Sequence, residues 1–241
     1  MQRNPIVSPL LAALTLAMAF LIGGCASTSR APADTPFVFV YLKSGPTSGQ
    51  GDAETRQKMF AGHMGNIQRL ANEGKLVIAG PFAKPTDKTW RGVLVLDVPT
   101  AAEAQALAAT DPGVQAGEFV AESHEMRASS VLRRTGELER AMLAEAKSAA
   151  PEPGKLPPNI REYVMLTPAN YERCLREIER SAWRNKIVWC GAFKPDPRGV
   201  IVLDATSATE IRAGLSDVGE CAIDGWWSTK SLTGLATLPH K

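Results

Sequence analysis

The strongest constraint on this chain is that it repeats itself. Residues 91–97 (RGVLVLD) return as residues 198–204 (RGVIVLD). Upstream, residues 63–82 align without gaps to residues 174–193, pairing Ile67 with Ile178, Arg69 with Arg180, Lys75 with Lys186, Val77 with Val188, Gly80 with Gly191 and Phe82 with Phe193. Thr100 with Glu103 is repeated as Ser207 with Glu210, a helix-capping pair at the same distance from the preceding strand. Chance similarity does not reproduce strand, cap and spacing together. The 241 residues therefore divide into two small units rather than one large domain.

Within the first unit, residues 37–42 (FVFVYL) are β-branched and aromatic, too short for a helix and bounded by a turn, so they read as a strand. A helix is expected over residues 53–73, with Phe60, Met64, Ile67, Leu70 and Ala71 recurring at helical spacing and Gly74 ending it. Residues 75–80 and 92–97 read as two more strands. A second helix starts at Thr100 and stops at Asp111-Pro112-Gly113, and a fourth strand lies within residues 117–126. The order is βαββαβ, the ferredoxin-like arrangement. Strands one and three lack polar alternation, so both faces of the sheet must be covered. Helices cover one face, and the second copy can cover the other. The expected fold is α+β: two ferredoxin-like units packed sheet to sheet as a pseudo-dimeric α+β barrel, the chain acting as its own partner and remaining monomeric.

The N-terminus carries a different message. Arg3 precedes an apolar run over residues 10–22 that ends at Gly23-Gly24-Cys25, the shape of a secretory signal. Leu21-Ile22-Gly23-Gly24-Cys25 resembles a bacterial lipobox, which makes the Cys25 thiol the lipidation site. The alternative is an uncleaved transmembrane anchor, for which the run is short. Ala26 in place of an acidic residue points, by analogy with bacterial lipoproteins, to the outer membrane, facing the periplasm. The expected organisation is a signal peptide over 1–24, a lipidated tether over 25–35, a first domain over 36–127, a linker over 128–160 with a weakly amphipathic helix at 137–149, and a second domain over 161–241.

Net charge is +2, with acidic and basic residues interspersed, so nucleic acid is excluded as an expected partner. Besides Cys25 the chain has Cys174, Cys190 and Cys221. In an oxidising compartment these suggest one disulfide and one leftover thiol, or equally three buried apolar cysteines.

The first unit, with Gly62-His63-Met64, the run GKLVIAGP over residues 74–81 and the Asp111-Pro112 step before the final strand, resembles the YCII-related (YciI-like) family. The resemblance covers residues 37–126; the second unit keeps the strand pattern and loses the signature positions. It implies a ferredoxin-like fold, a dimeric α+β barrel related to muconolactone isomerase, and an active site built on a histidine and an aspartate. One member with an assigned activity is a dehydrochlorinase acting on a chlorinated hydroxyquinol.

His63 lies three residues from Phe60 and four from Ile67, so its imidazole should face the sheet. A buried imidazole needs a partner; it is either a core histidine satisfied by a carbonyl or a general acid/base. Asp111, at the end of a helix where the dipole disfavours negative charge, is expected to have a raised pKa. It is a helix-stop residue or, as the resemblance implies, the partner that orients His63. Lys43 and Arg91, at strand ends, are candidate holders of an anionic small-molecule substrate, or plain solvated cations. In the second copy Cys174 faces His63, and Asp111 falls against Val218, or against Asp217 if one residue is skipped, so the His–Asp pair is not repeated. Gly49-Gln50-Gly51 lacks the third glycine of a dinucleotide fingerprint and reads as a flexible loop. No histidine or cysteine pair has metal spacing, His124 and His240 stand alone, and no cofactor is expected. The enzyme these residues suggest is a cofactor-free isomerase or lyase; the competing expectation is a non-catalytic binding lipoprotein of the envelope.

Overall fold

The computed structural model describes residues 35–145, 156–215 and 217–237. Cys25, the signal-like run, part of the expected 137–149 helix and His240 lie outside them. Among the described residues no helix is long and apolar enough to cross a membrane.

The first half runs β1 (Thr35–Ser44), α1 (Ala53–Asn72), β2 (Leu76–Pro81), β3 (Trp90–Leu96), α2 (Ala101–Ala108), a single turn α3 (Pro112–Gln115) and β4 (Phe119–Ala128). Asp52 caps α1 by accepting the Thr55 N–H at 2.8 Å. Its far end is a Schellman motif: Gly74 adopts φ 69°, and the N–H groups of Gly74 and Lys75 return to the carbonyls of Ala71 and Leu70. Thr100 caps α2 by accepting the Glu103 N–H, as its sequence predicts, although Glu103 answers the Thr100 hydroxyl rather than its backbone. A 3-10 segment (Ser130–Arg134) and α4 (Thr135–Glu145) follow.

The second half repeats the order: β5 (Ile160–Pro168), α5 (Tyr171–Arg180), β6 (Ile187–Phe193), β7 (Gly199–Leu203), α6 (Ala208–Gly214) and β8 (Cys221–Thr229), then a 3-10 segment (Lys230–Thr237). Ser207 caps α6 from the position equivalent to Thr100.

The two halves face each other, and their edges are also joined. One eight-stranded antiparallel sheet runs β2-β3-β1-β4-β6-β7-β5-β8. The first seam is a short ladder, Met126 to Ala128 of β4 against Phe193 to Gly191 of β6. The outer strands β2 and β8 nearly close the barrel through an isolated bridge, Phe82 to Trp226, and the Ala83 N–H donated to the Gly225 carbonyl at 2.9 Å.

Strand parity then sorts the core. Phe37, Phe39, Tyr41, Val93 and Val95 point inward, against Tyr163, Met165, Trp189, Phe193 and Trp226 of the other half. Val38, Val40, Leu42, Leu94 and Leu96 point outward beneath α1 and α2. Val164, Leu166, Ile201 and Leu203 do the same beneath α5 and α6. This is why the strands show no polar alternation: each is buried on both faces.

The region read as a linker does more than connect. Leu132, from the 3-10 segment, is fully buried in the interior core, as are Leu232 and Leu235 of the matching segment after β8. The two segments contribute apolar side chains to the same interior.

Candidate functional site

α1 buries an unexpected stripe. His63, Asn66 and Leu70 are its buried residues, whereas Phe60 is 54% and Met64 47% exposed. The apolar face expected through Phe60 and Met64 is therefore displaced by one position, and polar side chains occupy the inner surface in its first turns. Gly62 permits the close approach behind this: a Cβ there would press on the ring of Pro112.

His63 Nδ1 lies 2.8 Å from Asp111 Oδ2, with both side chains buried. The same oxygen accepts from Asn66 Nδ2 at 3.2 Å, and Asp111 Oδ1 accepts the Gly113 N–H at 2.8 Å. Asp111 is thus gripped from three sides. It does not end a helix: α2 stops at Ala108, and Asp111 is the N-cap of α3, with Pro112 in the first turn. The helix field there favours a negative charge, which reverses the expectation of a raised pKa. Burial works to raise the Asp111 pKa, but the His63 hydrogen bond and charge, together with the Gly113 and Asn66 donors, outweigh it and hold the carboxyl below the usual range.

Asn66, which the sequence reading did not single out, links the pair to the surface. Its Oδ1 accepts from Arg69 Nη2 at 2.8 Å, and Arg69 also reaches the Thr110 hydroxyl at 2.9 Å. The spacing 63, 66, 70 was the available signal, masked because an amide within an apolar stripe is normally discounted. The rings of Phe60 and Phe119 flank the imidazole at centroid distances of 5.9 and 5.1 Å. Nε2, on the opposite edge of the ring, makes no hydrogen bond to a described residue.

Lys43 and Arg91 are not brought to this pair. Lys43 continues the inward-facing series of β1 and binds Glu122. Glu122 also accepts from His124 Nε2 at 2.8 Å, and His124 stacks on Phe193, so His124 does not stand alone. Arg91 lies 3.7 Å from Glu118 Oε1. Buried Glu118 accepts from the Ser48 hydroxyl at 3.0 Å and from the Gly49 N–H at 2.9 Å, so the loop read as flexible is tied down by a carboxylate.

In the second half Cys174 stands on α5 where His63 stands on α1, and Asp217 pairs with Arg173 at the surface. The His–Asp arrangement is absent from the described residues of this half. Cys174, Cys190 and Cys221 are free thiols, the first two buried. No group of three or more His, Cys, Asp or Glu among the described residues could hold a metal ion.

Residues 37–124 match the model of the YCII-related domain. The first half is a YCII-related domain. No curated protein sequence matches the chain. Among solved structures it is similar to 5-chloro-2-hydroxyhydroquinone dehydrochlorinase from Burkholderia phenoliruptrix AC1100, in complex with 2,5-dihydroxybenzoquinone. That likeness has 20% identity, covers 36% of this chain and 89% of that one, and has a TM-score of 0.28. It is also similar to a monooxygenase-type protein of Lactobacillus acidophilus NCFM, at 7% identity over 82% of this chain and 97% of that one, with a TM-score of 0.42. The YCII-related domain contains His63, Asp111, Lys43 and Arg91 alike, and within it only the first two touch.

Proposed function

We propose that this chain is a bacterial envelope lipoprotein, anchored by a lipid on Cys25, whose YCII-related domain is a cofactor-free enzyme of the isomerase or lyase type. The second half is a diverged copy of the first that completes the barrel. Support for the copy comes from the repeated element order and from RGVLVLD against RGVIVLD.

The observation that carries the catalytic reading is the buried contact between His63 and Asp111. A carboxylate held ionised at Nδ1 makes that nitrogen the N–H donor and leaves the Nε2 lone pair free to take a proton. In an isomerisation His63 removes a proton from carbon or oxygen of a small molecule and returns it at another atom. In an elimination it removes the proton while a leaving group departs from the neighbouring carbon. Asp111 orients the ring and stabilises the imidazolium, and Asn66 and Gly113 hold Asp111. Both reactions balance without a redox partner.

One observation favours a second reading, a non-catalytic lipoprotein that binds a ligand or a protein. Two surface hollows, of about 280 and 430 Å³, lie along the seams between the halves, and neither is lined by His63 or Asp111.

Histidine NMR titration of the wild type and of Asp111→Asn tests the catalytic reading. A fall in the His63 pKa on removing the carboxylate supports it; an unchanged titration removes its mechanism. A small molecule that co-purifies with the delipidated protein and is lost in His63→Gln supports the enzyme, whereas one retained in that variant supports binding at a seam. Incorporation of a labelled fatty acid, abolished by Cys25→Ala, tests the anchor.

A further inference from the structure

The second half carries two cysteines where the first half has neither. Cys174 replaces His63 in the repeat alignment. Cys221 stands where Ala121 stands, since Ala121 is in register opposite Leu42 of β1 and Cys221 opposite Pro168, the matching position of β5. These positions face each other for a topological reason. β5 ends at Pro168, the chain turns through Ala169 and Asn170, and α5 begins at Tyr171, so that Cys174 lies one turn into the helix. The Ala169 N–H is donated to the Glu220 carbonyl at 2.9 Å, and Arg173 Nε to the Asp217 carbonyl at 3.0 Å. These bonds press the first turn of α5 onto the beginning of β8. The two sulfurs meet there as hydrogen-bonded neighbours within one apolar cluster.

We propose that Cys174 and Cys221 form a reversible disulfide, a thiol–disulfide exchange site built into the second half. The oxidant is a small-molecule or protein disulfide. Cys221, the partly exposed member, attacks it as thiolate; one sulfur of the oxidant leaves as a thiol and a mixed disulfide remains on Cys221. Cys174 then loses its proton and attacks the Cys221 sulfur, expelling the second thiol. Two thiols of the protein are oxidised, one disulfide is reduced to two thiols, and the protons balance. Cys174 is suited to the resolving step because the Cys221 thiol donates to its sulfur and lowers its pKa, while burial and the same hydrogen bond push Cys221 up. The bond would staple α5 to β8, fastening a helix to the sheet edge where the first half uses His63 and Asp111 to join α1 to α3.

The test uses the full chain, reduced and then equilibrated in glutathione buffers of rising oxidised fraction, quenched by alkylation and mapped by mass spectrometry. The expected result is parallel loss of label at Cys174 and Cys221, a peptide crosslink between them, recovery of both with dithiothreitol, and no Cys190 in the link. Cys221→Ala, which copies the residue of the first half, should preserve the fold and leave Cys174 fully alkylated on unfolding. The proposal is overturned if both thiols keep their label in the most oxidising buffer, or if Cys190 is a member of the crosslink.

Discussion

Trp226 donates its indole N–H to the carbonyl of Gly80 at 3.0 Å, tying the last strand of the second half to β2 of the first. Ser228 adds a hydroxyl bond to the Ala79 carbonyl at 2.8 Å. These bonds close a barrel whose outer strands share only an isolated backbone bridge. Gly80 has no side chain because a Cβ there would fall on the Trp227 carbonyl and the Trp226 ring. Trp226→Phe should cost about 1–3 kcal/mol, mostly through a buried carbonyl left unpaired. Gly80→Ala should cost more, since backbone has to move. Urea unfolding measures both, and an effect of Gly80→Ala below that of Trp226→Phe would count against the close approach.

Asp111→Asn should destabilise the chain by roughly 1.5–3 kcal/mol at neutral pH, the range for a hydrogen bond to a buried charged group. The dependence on acidity has a definite sign. The folded pKa lies below the ordinary value of 3.8, so the unfolded state binds more protons in acid. The carboxylate's contribution is complete above that value and is lost as pH falls through the lowered folded pKa. Wild type and Asp111→Asn should therefore converge in stability at the acid end, as followed by denaturant midpoints across a pH series.

Glu118→Ala removes the acceptor of the Gly49 N–H and the Ser48 hydroxyl. Amide exchange at Gly49 should rise by at least an order of magnitude while exchange in β1 stays slow, since local opening needs only that tether to break. Equal acceleration throughout would mean that Glu118 supports the whole half rather than its loop.

Leu132→Ala and Leu235→Ala should each cost about 2–5 kcal/mol, the penalty for a cavity in a packed core. Calorimetry on the two variants would show whether residues 130–145 belong to the folding unit. A midpoint shifted by less than for an exposed substitution such as Leu143→Ala would restore them to the status of a linker.

Much of the architecture is legible because buried strands announce themselves. FVFVYL and RGVLVLD leave no polar face, Gly74 and Thr100 mark helix ends by local chemistry, and the repeat supplies the second half. The seams are illegible for the opposite reason: the pairing of Met126 to Ala128 with Phe193 to Gly191 joins segments whose local patterns are complete without it. At the site, His63 was placed on the buried face correctly, yet Phe60 and Met64 were not, because helical periodicity fixes a face only to within a residue either way. Asp111-Pro112 was misread because proline serves equally to stop one helix and to begin the next. Only the second use lets the aspartate keep its charge beside an imidazole.

The joined edges of β4 and β6 have a consequence for mass action. A barrel assembled from two separate chains loses its seam on dilution, and its apparent stability falls with protein concentration. Here both seams lie within one chain, so the free energy of closure is independent of how many molecules surround it. The interior stays shut even when the protein is scarce, and either half can change its sequence without requiring the same change in the other.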